Sequence, residues 1–388
     1  MSSTDPRAAE PSLAGVRVLD LSRLLPGPYA SRVLLDHGAA VDKLEDPGAG
    51  DYMRMLPPLH DGMNPLFRAL ARGMRSAVLD LKSTHGKAAF LRMLPRYDVL
   101  IESFRPGVMA KHGLSYDELS QLSPKLIYCS ISGYGQTGPR AQKAGHDLNY
   151  LARGGVLGVS GPTGAAPHPP GMHVADIGGG LFAVSSVLAA LYAREKTRRG
   201  CYIDIALSES ATQFALVELM AHQANPEQPR GAGLLSGGVA TYNTYVTSDG
   251  RVATLAALEP KFWNAFCAAI GWNADAEAML PGPHQETWKK KIASLFASKT
   301  AAEWEAFSEA NDCCVEVAVL PHELIRDEAW RTRSAFEQAE FDRRELQYPR
   351  TPASRAPAHT HAPHQGEHTR AVLTEAGFDE DEINTLTR

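Results

Sequence analysis

The feature that most constrains this chain is the alternation of β-branched runs and helical stretches over its first two hundred residues. Residues 16–22, 39–45, 76–81, 98–104 and 126–132 are short apolar runs of the kind that form buried strands. Residues 29–37, 86–97 and 116–122, between them, carry helical spacing. Ser115, three residues before Glu118, is a capping box that fixes where the third helix begins. A β-α-β-α rhythm of this kind predicts a parallel, doubly wound sheet with helices on both faces.

At 388 residues the chain exceeds the size at which single cores usually stop growing, so two domains are expected. A long helix over residues 179–199 turns basic at Arg194, Lys196, Arg198 and Arg199 before Gly200. That run reads as a helix C-terminus complemented by cations and closed by glycine. A buried strand follows at 202–207, and residues 225–238 shift to the proline, glycine and polar composition of a linker. Beyond it, residues 241–246 and 252–257 flank Ser248-Asp249-Gly250 as a hairpin, with helices at 261–270 and 301–310. The expected division is a large domain at 12–224, a small α+β domain at 225–333, and a linker with a returning C-terminal segment at 334–388. Residues 348–368, rich in proline and histidine, are expected to run extended over the surface.

A net charge of −5 without a basic stripe leaves no electrostatic footprint for nucleic acid. Five cysteines, two of them adjacent at Cys313 and Cys314, do not form a disulfide framework and suit a reducing, cytoplasmic setting. No apolar run is expected to approach the roughly 18 residues that spanning a bilayer requires. Residues 1–11 are polar and read as a disordered tail.

Leu24-Leu25-Pro26-Gly27-Pro28 follows the first strand, where a dinucleotide-binding dehydrogenase would carry G-x-G-x-x-G. Neither a phosphate loop G-x-x-x-x-G-K-[ST] nor a nucleophile elbow G-x-S-x-G is present. His359, His361, His364 and His368 lie in a proline-punctuated segment and read as a solvated loop, so no metal is expected. Asp176 precedes Gly178-Gly179-Gly180 at the start of the long helix. It reads either as a helix cap or as a carboxylate placed for chemistry. The three glycines weaken a helix start and call for a ligand or another backbone in close approach. His146 follows a glycine-rich loop after a strand, where α/β proteins place ligand sites, or is a structural residue at a helix start. Glu259, at a strand-to-helix junction, reads equally as a helix-start acid.

In order along the chain stand Leu24-Leu25-Pro26-Gly27-Pro28-Tyr29, Lys43-Leu44-Glu45, Val78-Leu79-Asp80-Leu81-Lys82, Phe104-Arg105-Pro106-Gly107 and Gly133-Tyr134-Gly135. This succession resembles family III CoA-transferases, the CaiB/BaiF group. Ala144-Gly145-His146-Asp147-Leu148-Asn149-Tyr150, Val174-Ala175-Asp176 and Leu258-Glu259-Pro260 resemble its α-methylacyl-CoA racemase branch more closely.

The resemblance implies a Rossmann-like large domain, a smaller domain and an interlocked homodimer. It also implies a substrate that is an acyl-CoA thioester, with coenzyme A as part of that substrate and no separate cofactor. By position His146 and Asp176 would be the two bases of an α-carbon racemisation and Glu259 a supporting carboxylate. Backbone amides at the glycine-rich helix start would stabilise the enolate. Arg75, Lys82 and Arg105 would stand near CoA phosphates, with Tyr134, Gly135, Asp147 and Tyr150 around the ligand. The alternative is a CoA-transferase in which Asp176 attacks the acyl-CoA, and a third reading is a CoA-binding protein without catalysis. Asp46 departs from the family pattern, which often has a CoA-contacting arginine after the acidic residue at the end of the second strand.

Overall fold

Parallel strands covered by helices must be apolar on both faces, and the central strands here are. In the computed structural model, which describes residues 11–341, 344–352, 354 and 361–387, six strands form one sheet. They are β1 (Arg17–Asp20), β2 (Ala40–Glu45), β3 (Arg75–Val78), β4 (Val99–Glu102), β5 (Ile127–Ser132) and β6 (Tyr202–Ala206). Their order is β3-β2-β1-β4-β5-β6 and every pairing is parallel. Strand order reverses between β1 and β4, so a crevice opens at their carboxyl ends, where such sheets bind ligands.

Helices that accompany this sheet include α1 (Pro26–Asp36), α2 (Pro65–Ala71), α3 (Thr84–Met93), α4 (Tyr116–Leu122), α5 (Asp147–Arg153) and α6 (Val174–Thr197). The Ser115–Glu118 capping box is made in both directions. Helix α2 was not foreseen, although Asn64 capping ahead of Pro65 is its sequence signal.

Helix α6 begins at Val174, ahead of the expected start, which puts Asp176 inside the first turn rather than outside it as a cap. The glycines answer a close approach of the protein to itself. A Cβ at Gly180 would stand 2.8 Å from the Pro26 carbonyl oxygen of α1, and one at Gly179 would overlap the Leu207 side chain. The helix is closed by Arg198 in a left-handed conformation (φ 56°), not by Gly200. Gly200 is needed because a Cβ there would overlap the Leu126 carbonyl. The expectation of no long apolar run is also corrected. With 24 residues and an 18-residue stretch of mean hydropathy 1.8, α6 is long and apolar enough to cross a bilayer by length and composition; here it packs on α1.

Two units share the chain. The first takes residues up to Leu151, Met172–Ala211 and the chain from Glu328 onward; the second takes Ala152–Gly171 and Thr212–Asp327. Residues 225–238 therefore lie inside the second unit instead of linking two. A composition shift marks a loop but does not say which core the loop belongs to.

In the second unit, β7 (Tyr242–Val246), β8 (Val252–Ala256) and β9 (Val315–Val317) form an antiparallel sheet. Helices Pro260–Ala269, Gln285–Phe296 and Ala301–Ala310 accompany it. Its core is aromatic: Phe296 stacks on Tyr245 at 5.0 Å and on Trp304 at 4.2 Å between ring centroids.

The C-terminal segment does not run free over the surface. Edge strand β3 has its outward groups satisfied by it: the Ser76 amide donates to His368 Nδ1 and the Val78 amide to Thr369 Oγ1 at 3.0 Å. The His368 amide donates in turn to the Ser76 carbonyl. Ala362 and Pro363 are buried, and Val372, Leu373, Phe378 and Ile383 join the core that includes Phe90 and Leu100. His361 pairs with Glu367, so two of the tail histidines hold local structure; His359, like residues 1–10, lies outside the described residues.

Leu373 is 1% exposed in that core. Leu373→Ala is expected to lower unfolding stability by about 3 kcal/mol in denaturant titration, the cost of an apolar cavity.

Candidate active site

The carboxyl ends of β4 and β5 and the start of α6 enclose a cavity of about 690 Å³. His146, Asn149, Tyr150 and Asp176 line it together with Arg23, Leu24, Tyr52, Arg105 and Lys143. His146 is exposed and directly precedes α5, where its amide donates to Asn149 Oδ1 at 3.1 Å. Its backbone is therefore structural, and the residue lines the cavity.

Asp147, the first residue of α5, reaches across to α6. Its Oδ1 accepts from the amides of Ala175 at 2.9 Å and Asp176 at 3.0 Å, so the cap of α6 comes from a residue distant in sequence. This corrects an expectation: the first amides of α6 are taken by Asp147 and are not free to hold an enolate.

Burial, with the negative charge of Asp147 beside it, pushes the Asp176 carboxyl from 3.8 up to about 7. Tyr150 forms one wall. Its hydroxyl donates to the Gly145 carbonyl at 2.6 Å, and Tyr134 meets its ring edge-on at 5.2 Å. Glycine is required at Gly133 and Gly145 because a Cβ at either would run into this ring. Burial first, and then the charge of Asp176, raise the Tyr150 hydroxyl to about 12.

The other expected site residues separate into distinct places. Gly135 is a left-handed turn residue (φ 83°). Lys82 lines a second cavity of about 410 Å³ with Arg23, Tyr52, Leu79, Phe104 and Asp46, and stands 3.6 Å from Asp46. Arg75 is not a free cation near either cavity. It bonds Asp42 at 2.7 Å and Glu375 at 2.6 Å, because β3 starts at the opposite end of the sheet from its ligand-facing edge. Glu259 belongs to the second unit, where it precedes helix Pro260–Ala269, is exposed, and pairs with Lys261 at 3.1 Å.

Asp147, His173 and Asp176 bring ligand-type atoms within 4.8 Å of one another. The Asp147 oxygen that caps α6 is already committed to two amides. Sequence reasoning missed Arg23, Tyr52 and Lys143, which belong to no motif and enter the cavity only through the fold.

A doubly wound sheet with a histidine and an aspartate lining one cavity at its carboxyl edge is an α/β arrangement in which acid–base or acyl chemistry can be placed. The family model for CoA-transferase family III matches residues 13–369, and the chain belongs to that family. It is 38% identical over 96% of both chains to the α-methylacyl-CoA racemase of Mus musculus. It is also 35% identical over 70% of both chains to the acetyl-CoA:oxalate CoA-transferase of Acetobacter aceti. The crystal structure of a CAIB/BAIF family protein from Brucella suis superposes with a TM-score of 0.80 at 26% identity, covering 95% of this chain and all of that one.

Two tests follow from the Asp176 environment. Its folded value lies above its unfolded one, so the folded state holds the extra proton and stability falls as pH rises from about 4 to about 7. Calorimetry should therefore show Asp176→Asn raising Tm at pH 8 and leaving it nearly unchanged at pH 4. Asp147→Asn keeps an oxygen acceptor for the amides but removes the charge, and should lower the Asp176 value in a carboxyl NMR titration.

Proposed function

We propose that this chain is an acyl-CoA racemase, inverting the α-carbon of a 2-methylacyl-CoA thioester by proton removal on one face and return on the other. The observation that carries this is the pairing of His146 with Asp176 in one cavity, where the Asp176 carboxyl titrates near 7. A group of that kind serves as base in one direction and acid in the other. In one direction neutral His146 takes the α-proton, the electron pair moves to the thioester oxygen, and protonated Asp176 delivers a proton to the opposite face. In the reverse direction ionised Asp176 takes the proton and the imidazolium of His146 returns one. Arg105 and Lys143 supply positive charge on the cavity wall. Glu259 stays the proposed orienting carboxylate on the strength of the resemblance.

Coenzyme A enters as part of the substrate, with no separate cofactor. The apolar lining of the second cavity by Leu44, Leu79, Leu81, Phe104 and Met109 suits its nucleotide end. Lys82 and Arg23 are the proposed replacements for the arginine that Asp46 displaces. A homodimer is supported by apolar surface on α6, where Leu181 is 43% and Tyr192 68% exposed. Five free cysteines support a cytoplasmic setting.

The similarity to an acetyl-CoA:oxalate CoA-transferase favours one other reading, with Asp176 as the nucleophile. The His146 motif weighs against it, because a transferase needs no base at that position.

Incubation with 2-methylacyl-CoA in deuterated water decides between them. The racemase incorporates deuterium at the α-carbon, and His146→Ala and Asp176→Asn each lower that rate by about 10²–10⁴-fold. A wild-type protein without exchange, but with an Asp176 adduct trapped by hydroxylamine, is a transferase.

A further inference from the structure

Arg23 and Leu24 line the cavity, and Leu24 does so in an unfavourable conformation. Leu24 has φ 64°, the left-handed region that a branched side chain rarely enters. Such a residue persists only where its surroundings over-determine it, and those sites cluster where chemistry is done.

Four side chains, three of them buried, hold the segment from Ser22 to Leu24 by its backbone. Asp20 Oδ1 accepts from the Ser22 amide at 2.7 Å, and Lys43 Nζ donates to the Ser22 carbonyl at 2.8 Å. Ser103 Oγ accepts from the Arg23 amide at 3.1 Å, and Asp51 Oδ1 from the Leu24 amide at 3.2 Å. The same Asp51 oxygen accepts from the Met53 amide at 3.0 Å, which fixes the turn that carries Tyr52.

Lys43 joins these anchors. Its ammonium is 3.0 Å from Asp51 and 3.7 Å from Asp20, and all three side chains are almost fully buried. Arg23 and Tyr52, carried by the two held segments, line both cavities and form the wall between them. Substrate and the reacting atoms are touched by neither Lys43 nor Asp51, since neither lines a cavity.

We infer that the buried Lys43–Asp51 ion pair is a positioning device, which holds the Arg23–Leu24 and Tyr52 segments in place as the common wall of the two cavities. The inference rests on the acyl-CoA reading for its kinetic consequence and on the geometry alone for its structural one. A ligand that spans both cavities passes this wall; a thioester truncated before the nucleotide does not reach the second cavity. Loss of the pair therefore harms the full CoA thioester more than a truncated pantetheine thioester.

The test compares wild type with the double variant Lys43→Met/Asp51→Asn, which removes both charges while keeping volume and an oxygen acceptor for the amides. Hydrogen exchange followed by mass spectrometry is expected to show at least tenfold faster exchange in the segments around Ser22–Leu24 and Met53, with β4 and β5 unchanged. kcat/KM for α-proton exchange should fall by about 10–100-fold with the CoA thioester, and by less than threefold with the pantetheine thioester. Equal losses with both substrates, or exchange speeded evenly across the sheet, would mean a purely structural pair and overturn the inference.

If the double variant does not fold, Leu24→Gly takes its place, since glycine meets the left-handed conformation without strain but does not enforce it. It should keep Tm within a few degrees and lower the CoA thioester rate about tenfold; an unchanged rate overturns the inference. A wild-type protein that turns over no thioester would fail the functional reading, and the exchange pattern would still decide the positioning role.

Discussion

The candidate site depends on one interaction, the acceptance of two α6 amides by the Asp147 carboxylate. It joins the helix that begins after His146 to the helix that carries Asp176, so the two proposed proton carriers share a rigid connection. A carboxylate that caps a helix also sets the electrostatics of its neighbour. Asp147 holds negative charge beside Asp176 and helps keep that carboxyl near the pH at which it can both take and give a proton. One side chain therefore sets both the position and the acidity of its neighbour.

The surrounding small residues serve that arrangement. Gly133 and Gly145 make room for Tyr150, whose ring forms the wall next to His146, and Gly179 and Gly180 let α6 settle against Leu207 and α1. The helix start is thus pressed into the protein, which removes water from Asp176 and raises the cost of its charge.

Much of this was legible in the sequence, for physical reasons. The parallel strands were, because burial on both faces writes the inner ones as short apolar runs, although β6 at the edge has Tyr202 and Asp204 exposed; the capping box of α4 was, because its partners are three residues apart. The succession of local motifs identified His146 and Asp176. What the sequence hid was non-local. Asp147 as the cap of α6 joins residues 28 and 29 positions apart. Arg75 was read as a ligand cation because its partner Glu375 lies 300 residues away. The second unit draws on residues 152–171, a glycine- and proline-rich stretch whose composition marks a loop without saying which core it joins.

The docking of the chain's end on β3 has a consequence for synthesis. The Val78 amide is completed by Thr369, which follows it by 291 residues. A ribosome adding about 5–20 residues per second needs roughly 15–60 s to cover that interval. In the part of that interval after Ala206 is made, the sheet has its strands but not its border, and β3 presents an open edge to any other chain nearby. The nascent protein is most exposed to wrong pairing after β6 and before Thr369 is made, and a chain that stops short of Thr369 would leave that state permanent.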